Sequence, residues 1–119
     1  MSAVKPRAAA RLAAVQALYQ VDLLNTRPEA VCREFTEHRL ASLFEPFEVE
    51  QPSPEVDREW FEILVKGAWE ARDRLDPAIG ACLAEGWTLA RCGFLVRACL
   101  RAGAIALMLL AILLAVVIF

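Results

Sequence analysis

The stretch from Arg74 to Leu107, RLDPAIGACLAEGWTLARCGFLVRACLRAGAIAL, constrains the fold more than any other part of the chain. Asp76 is a good N-cap and Pro77 suits a first helical position, where its missing N–H costs nothing. Gly86 predicts the stop of that short helix, as glycine does just past a last turn. Thr88 can cap the next helix. Its apolar positions Cys92, Leu95, Val96, Cys99 and Gly103 fall three to four apart and line one face that needs a partner. Arg91, Arg97 and Arg101 fall largely off that face. Two helices of this size cannot bury themselves, so the remainder of the chain must cover them.

The 119 residues make one domain with a single modest core. A hydrophobic share of 58% against 24% charged residues excludes disorder. The net charge of −2 argues for neither a nucleic-acid binder nor an enzyme of acidic substrates. Its distribution says more. Residues 1–24 carry Lys5, Arg7 and Arg11 against Asp22 alone, whereas residues 25–62 are strongly acidic. A basic arm beside an acidic middle suits two different partners, or plain solvated surface. Cys32, Cys82, Cys92 and Cys99 show no CxxC and no nearby histidine pair. The reading is reduced thiols, no metal site and no cofactor. The N-terminus lacks a continuous apolar run, so no secretory signal is expected.

The first helix is predicted from about Arg7 to Leu24, ending at Asn25. Leu12, Val15, Leu18, Tyr19 and Val21 or Leu23 give its apolar stripe, and many alanines favour it. Its basic residues gather in the first turn, which is electrostatically poor for a helix N-terminus. Phosphate contacts would offset that, but a frayed, exposed end is the plainer explanation. Thr26-Arg27-Pro28-Glu29 matches a capping box that opens a second helix, with Val31 and Phe35 inward and an end near Ser42. Residues 44–53 read as a surface loop. Ser53 and Pro54 then begin a third helix, with Glu55, Asp57 and Glu59 in its early turns and an apolar stripe through Val56, Trp60, Ile63, Leu64, Gly67, Ala71 and Leu75. Nothing before the tail reads as a strand. The fold class is all-α.

Chemistry is sparse. His38 sits in a charged helical segment with no nucleophile at a readable spacing. No phosphate-binding glycine loop follows a strand, and no HExxH is present. Catalytic residues are expected to be none.

At this point a set of segments resembles a known family. The run from Ala10 to Leu23, ARLAAVQALYQVDL, resembles the first helix of the NusB transcription antitermination family. So do Phe61-Glu62-Ile63-Leu64-Val65-Lys66-Gly67, Leu75-Asp76, Gly86-Trp87-Thr88-Leu89-Ala90-Arg91 and Cys99-Leu100-Arg101-Ala102-Gly103-Ala104. The resemblance covers about residues 5–104, in order and at family-like spacing. It implies a NusB-like helical bundle, incomplete at its C-terminal end, that binds RNA and catalyses nothing. The implied partners are single-stranded boxA-type RNA, the NusE ribosomal protein and the RNA polymerase antitermination complex, in the cytoplasm. On the matching positions the RNA-binding residues are Lys5, Arg7, Arg11 and Tyr19. The chemistry is sensible, because cations neutralise phosphates and an aromatic ring stacks on an unpaired base. Tyr19 reads equally as a core or rim aromatic of its helix. Trp60, Trp69 and Trp87 read as core or rim residues.

Past Ala104 the resemblance fades. Ile105 and Ala106 stand where the family has tyrosine and glutamate, and residues 102–119, AGAIALMLLAILLAVVIF, are uncharged throughout. This divides the chain into a NusB-like RNA-binding domain, 1–104, and an apolar tail, 105–119. A helix apolar on every side is buried in protein or lies in lipid. The run would reach about 27 Å, near a bilayer's hydrocarbon thickness, and the arginines before it would keep the domain cytoplasmic. The tail is thus a substitute core helix or a membrane-seeking segment. Two further readings accompany the antitermination one. The chain could be a tail-anchored interaction module without RNA function, or a detached domain of the kind that fronts ribosomal RNA methyltransferases.

Overall fold

Each helix begins or ends where a particular side chain makes it do so. The computed structural model describes residues 4–43 and 55–118, and among them there are five α-helices and no strand. The first, α1, runs Pro6–Leu24, with Pro6 at its first position. Asn25 closes it in the left-handed conformation (φ 52°), which asparagine tolerates better than most residues. These bounds match the sequence expectation to within a residue.

The buried side of α1 is the expected one only in part: Leu18 and Val21 are buried and Val15 packs on the core as expected. Ala9, Ala10, Ala13, Ala14, Ala17, Leu18 and Val21 are buried, while Leu12, Tyr19 and Leu23 face outward at 39%, 36% and 44% exposure. Alanine's small side chain lets α3 and α5 both approach α1 closely, and Leu12, Tyr19 and Leu23 turn to the other side.

The second helix, α2, spans Pro28–Glu34 and is capped by the Arg27 backbone without a side-chain bond. The capping box on Thr26 therefore does not form; the helix starts one residue later, with Pro28 at its first position. A π-helical turn, Phe35–Arg39, and a 3₁₀ turn, Leu40–Ser42, follow. The Leu40 N–H donates to the Phe35 carbonyl. In an α-helix residues five apart point about 140° apart. The wider turn swings Leu40 round, so that it and Phe35 are both buried. Phe35 stacks on Phe61 with ring centroids 5.6 Å apart.

The expected loop 44–53 and the helix start at Ser53 and Pro54 lie outside the described residues, save that residues 55–57 are not helical. Helix α3 is Arg58–Glu70, capped by Asp57, whose Oδ1 accepts the Trp60 N–H at 3.0 Å. Its buried residues are Phe61, Leu64, Val65 and Ala68. Ile63, placed in the stripe from sequence, is 42% exposed. Gly67 presents bare backbone to α5; a Cβ there would meet Ile105 Cγ1 at 3.4 Å.

Helix α4, Arg72–Cys82, follows after a break at Ala71. Pro77 lies inside it, and Asp76 is not its cap. The Asp76 carboxylate is engaged elsewhere: it accepts Arg101 Nε at 3.0 Å and Nη2 at 2.8 Å. The helix ends at Cys82, before Gly86, which instead takes a positive φ of 85° in the turn that follows. Thr88 does cap, its Oγ1 accepting the Arg91 N–H at 3.3 Å, but the element it opens is a 3₁₀ turn, Leu89–Arg91.

The long helix α5 is Phe94–Ile118. Its inner face is Ala98, Arg101, Ala102 and Ile105. The face singled out from sequence points the other way: Leu95 and Val96 are half exposed, and Cys99 and Gly103 are exposed. Arginine, expected off the buried face, sits on it. The helix continues unbroken past Ala104, with Ile105 in the core and Ala106, Met108 and Leu109 against it. From Leu110 to Ile118 every residue is exposed. The tail is thus a core helix for its first part and an uncovered apolar rod for its second.

Candidate nucleic-acid interface

Helix α1 presents one long outward side because its alanine face is taken by α3 and α5. At about 100° per residue, Arg11 and Tyr19 lie about 80° apart on that side and about 12 Å apart along the axis. Lys5, at the N-cap, is exposed. No acidic residue occupies the first turn of α1. The positive end of the helix dipole therefore adds to the charges of Lys5, Arg7 and Arg11.

Arg7 is turned toward the edge of α3. Its Nε lies 3.7 Å from Asp57 Oδ2, and its guanidinium stands 4.7 Å from the centroid of the Trp60 ring. Its side chain still keeps 66% of its exposure, so this pairing is worth a few tenths of a kcal/mol and leaves the donors accessible. The Asp57 N–H donates to the Pro6 carbonyl at 3.1 Å, which ties the start of α3 to the start of α1. Arg11 has no ion-pair partner among the described residues. Tyr19 is a rim residue at 36% exposure. Its ring is available to a base, yet it belongs to the surface of a packed helix. Lys5, Arg7, Arg11 and Tyr19 thus share one helix and one accessible side, with Arg7 at its margin.

Two features were not legible from sequence. Trp60, assigned to an apolar stripe, supplies the ring under Arg7, and its Nε1–H is buried without an acceptor among the described residues. The other is the ionic network that fixes α5 beside the far end of α1. Asp22 Oδ2 accepts Arg97 Nε at 2.9 Å and Arg101 Nη1 at 3.4 Å, while Asp76 takes Arg101 in a two-pronged bond. Arg97 Nη1 also donates to the Cys92 carbonyl at 3.2 Å. The Arg101 side chain is only 10% exposed, and the hydrogen bond to Asp76 drives its pKa above the ordinary guanidinium value despite burial. Arginine suits this place because its planar fork satisfies two carboxylates at once. Tyr19 lies three residues before Asp22, so the network steadies the end of α1 that carries it.

Among the described residues no cluster of metal-ligating side chains occurs. The basic and aromatic groups of α1 can bind phosphate and stack on a base, which is the chemistry of single-stranded nucleic-acid recognition.

Comparison with known proteins bears on the family of the chain, not on these side chains. A family model described as the NusB family matches residues 8–118, past the point where the sequence resemblance fades. A protein of Maricaulis maris named "Transcription antitermination protein NusB" is 46% identical over 97 residues, covering 82% of this chain and 58% of that protein. Its namesake in Sinorhizobium medicae is 42% identical over 100 residues, covering 84% and 60%. The one in Novosphingobium aromaticivorans is 44% identical over 104 residues, covering 87% and 68%. The chain spans about three fifths of the length of the first two. No solved structure matches.

Proposed function

The chain belongs to the NusB family, and from that premise we propose that it is an RNA-binding factor of transcription antitermination that acts by binding and not by catalysis. Its ligand is single-stranded boxA-type RNA, taken up in the cytoplasm together with the NusE ribosomal protein for delivery to the RNA polymerase antitermination complex. Residues 1–104 form the RNA-binding domain, and 105–118 continue its last helix into the apolar tail.

One observation carries the reading: the outward side of α1 holds Arg11 and Tyr19 accessible, with Lys5 and Arg7 at its start and no acidic residue in its first turn. Lysine and arginine there neutralise phosphates and release counterions. Tyr19 stacks on a base, worth about 1–3 kcal/mol if the ring is fully used. Trp60 and Asp57 position the Arg7 guanidinium at the margin of the same surface.

The test is fluorescence anisotropy of a labelled boxA-type RNA against a scrambled strand, using the full chain with and without NusE. The expected result is salt-sensitive binding that prefers the boxA-type strand and tightens with NusE. Equal, weak binding of both strands under all conditions, by protein shown to be helical, overturns the proposal.

A further inference from the structure

Among the described residues the outward face of α5 is largely uncovered, Ala106 alone on it being partly buried. Cys99, Gly103, Ala106, Leu110, Leu113 and Val117 follow one another at alternating spacings of four and three, the 3.5-residue seam by which helices pair. Leu110, Leu113 and Val117 are 52%, 59% and 75% exposed. The seam is asymmetric. Its near half is small and its far half is large. A Cβ added to Gly103 would meet nothing within 4 Å, so the space above the near half is open. Beside that half lies an apolar groove of about 700 Å³ between α4 and α5, whose walls include Ile79, Leu83, Leu100 and Leu107.

We propose that two copies of this chain pair antiparallel along α5, the exposed end of each helix lying over the small half of the other's seam and against its α4–α5 groove. One register sets Ala106 opposite Leu110, Gly103 opposite Leu113 and Cys99 opposite Val117, so that every layer combines a small residue with a large one. The contact is isologous and closes on itself.

The exposed end is apolar on all sides, and a parallel pair would cover only one of them. The antiparallel arrangement seats it against both a helix and a groove wall. Area agrees. Eight apolar residues between Leu107 and Ile118 are each 51–75% exposed. At about 60–120 Å² per buried aliphatic side chain they hold on the order of 400–500 Å². Each copy also covers the other's groove, which brings the loss to roughly 600 Å² per partner, at the lower end of specific interfaces. No charge interrupts residues 102–118 to oppose the approach. Lipid is the poorer occupant of the described helix. Leu109 still packs on the core, and Ile105 before it is buried, so the first part of the apolar run is held by protein.

Light scattering on the full chain through a dilution series tests this, alongside the double variant Leu110→Glu, Leu113→Glu. The expected result is twice the 13.2 kDa chain mass for the parent and the single mass for the variant, with unchanged helicity by circular dichroism. Both substituted side chains are exposed in the single chain, so its core is not disturbed. A Val117→Cys variant should oxidise to a dimer through Cys99 of the second copy, whereas a Cys99–Cys99 bridge would mean parallel pairing and overturn the proposal. A monomeric parent, a dimer that ignores the two glutamates, or flotation with phosphatidylcholine–phosphatidylglycerol vesicles without a dimer in solution would each overturn it as well.

Discussion

At the residue scale the decisive group is Arg101. Its fork joins α5 to α4 through Asp76 and to α1 through Asp22, at 2.8–3.4 Å, from a side chain 10% exposed. Removing one member of a buried pair typically costs about 3–5 kcal/mol. Here Asp76 keeps about a third of its exposure and can be rehydrated. Arg101→Met should therefore lower stability by about 2–3 kcal/mol in urea unfolding, and Arg101→Lys should recover only part of that, since an ammonium cannot make the two-pronged bond. Equal stability of all three would show that the network contributes nothing. Cys32 supplies a second prediction. Burial, with Glu62 adding to it, pushes its thiol from the ordinary 9.0 up to about 11. The folded state thus holds the proton more tightly than the unfolded chain. This contribution to stability is complete below about pH 9 and lost as pH rises from there toward 11, by on the order of 2 kcal/mol. A Cys32→Ala variant should show a flatter fall in stability over that window than the parent. Neither role was readable in the sequence: an arginine three residues from an alanine-rich face looks like surface, and its carboxylates lie 25 and 79 residues away.

At the scale of elements, local chemistry announced some boundaries and concealed others. Asn25 ends α1 and Thr88 caps a turn because each uses only its own neighbourhood. Asp76-Pro77 carries an equally good local signal for a helix start, yet the chain runs through it, because the Asp76 carboxylate is drawn to Arg101 and is not left to cap. The proline consequently removes the hydrogen bond that residue 77 would give to the Asp73 carbonyl. Pro77→Ala should raise stability by about 1–2 kcal/mol, the gain in the helix being reduced by the greater freedom of the unfolded chain. A loss of stability would mean that Pro77 begins a helix after all. The face of α5, and half of that of α1, were misread for a related reason. Apolar spacing identifies a face that can be buried, but which face is buried depends on what packs there. On α1 alanines win because two helices must come close. On α5 the partners of Arg101 decide, and the apolar seam is left outside.

At the scale of the whole molecule, membership of the NusB family was legible because five separated segments keep their order and spacing. The candidate site was legible to the extent that Lys5, Arg7, Arg11 and Tyr19 fall on one exposed helix side. Trp60 and Asp57, which set the Arg7 side chain, come from another helix and carry no motif. Central to this account is that α1 binds RNA through its outward cations. The most direct measurement is the slope of log affinity against log salt for a boxA-type RNA, for the parent chain and for Arg11→Ala. One phosphate contact contributes a slope of about 0.7 on a single strand. The account predicts a slope smaller by about that amount in the variant, with weaker binding at low salt and unchanged helicity. Identical slopes and affinities for the two proteins would contradict it.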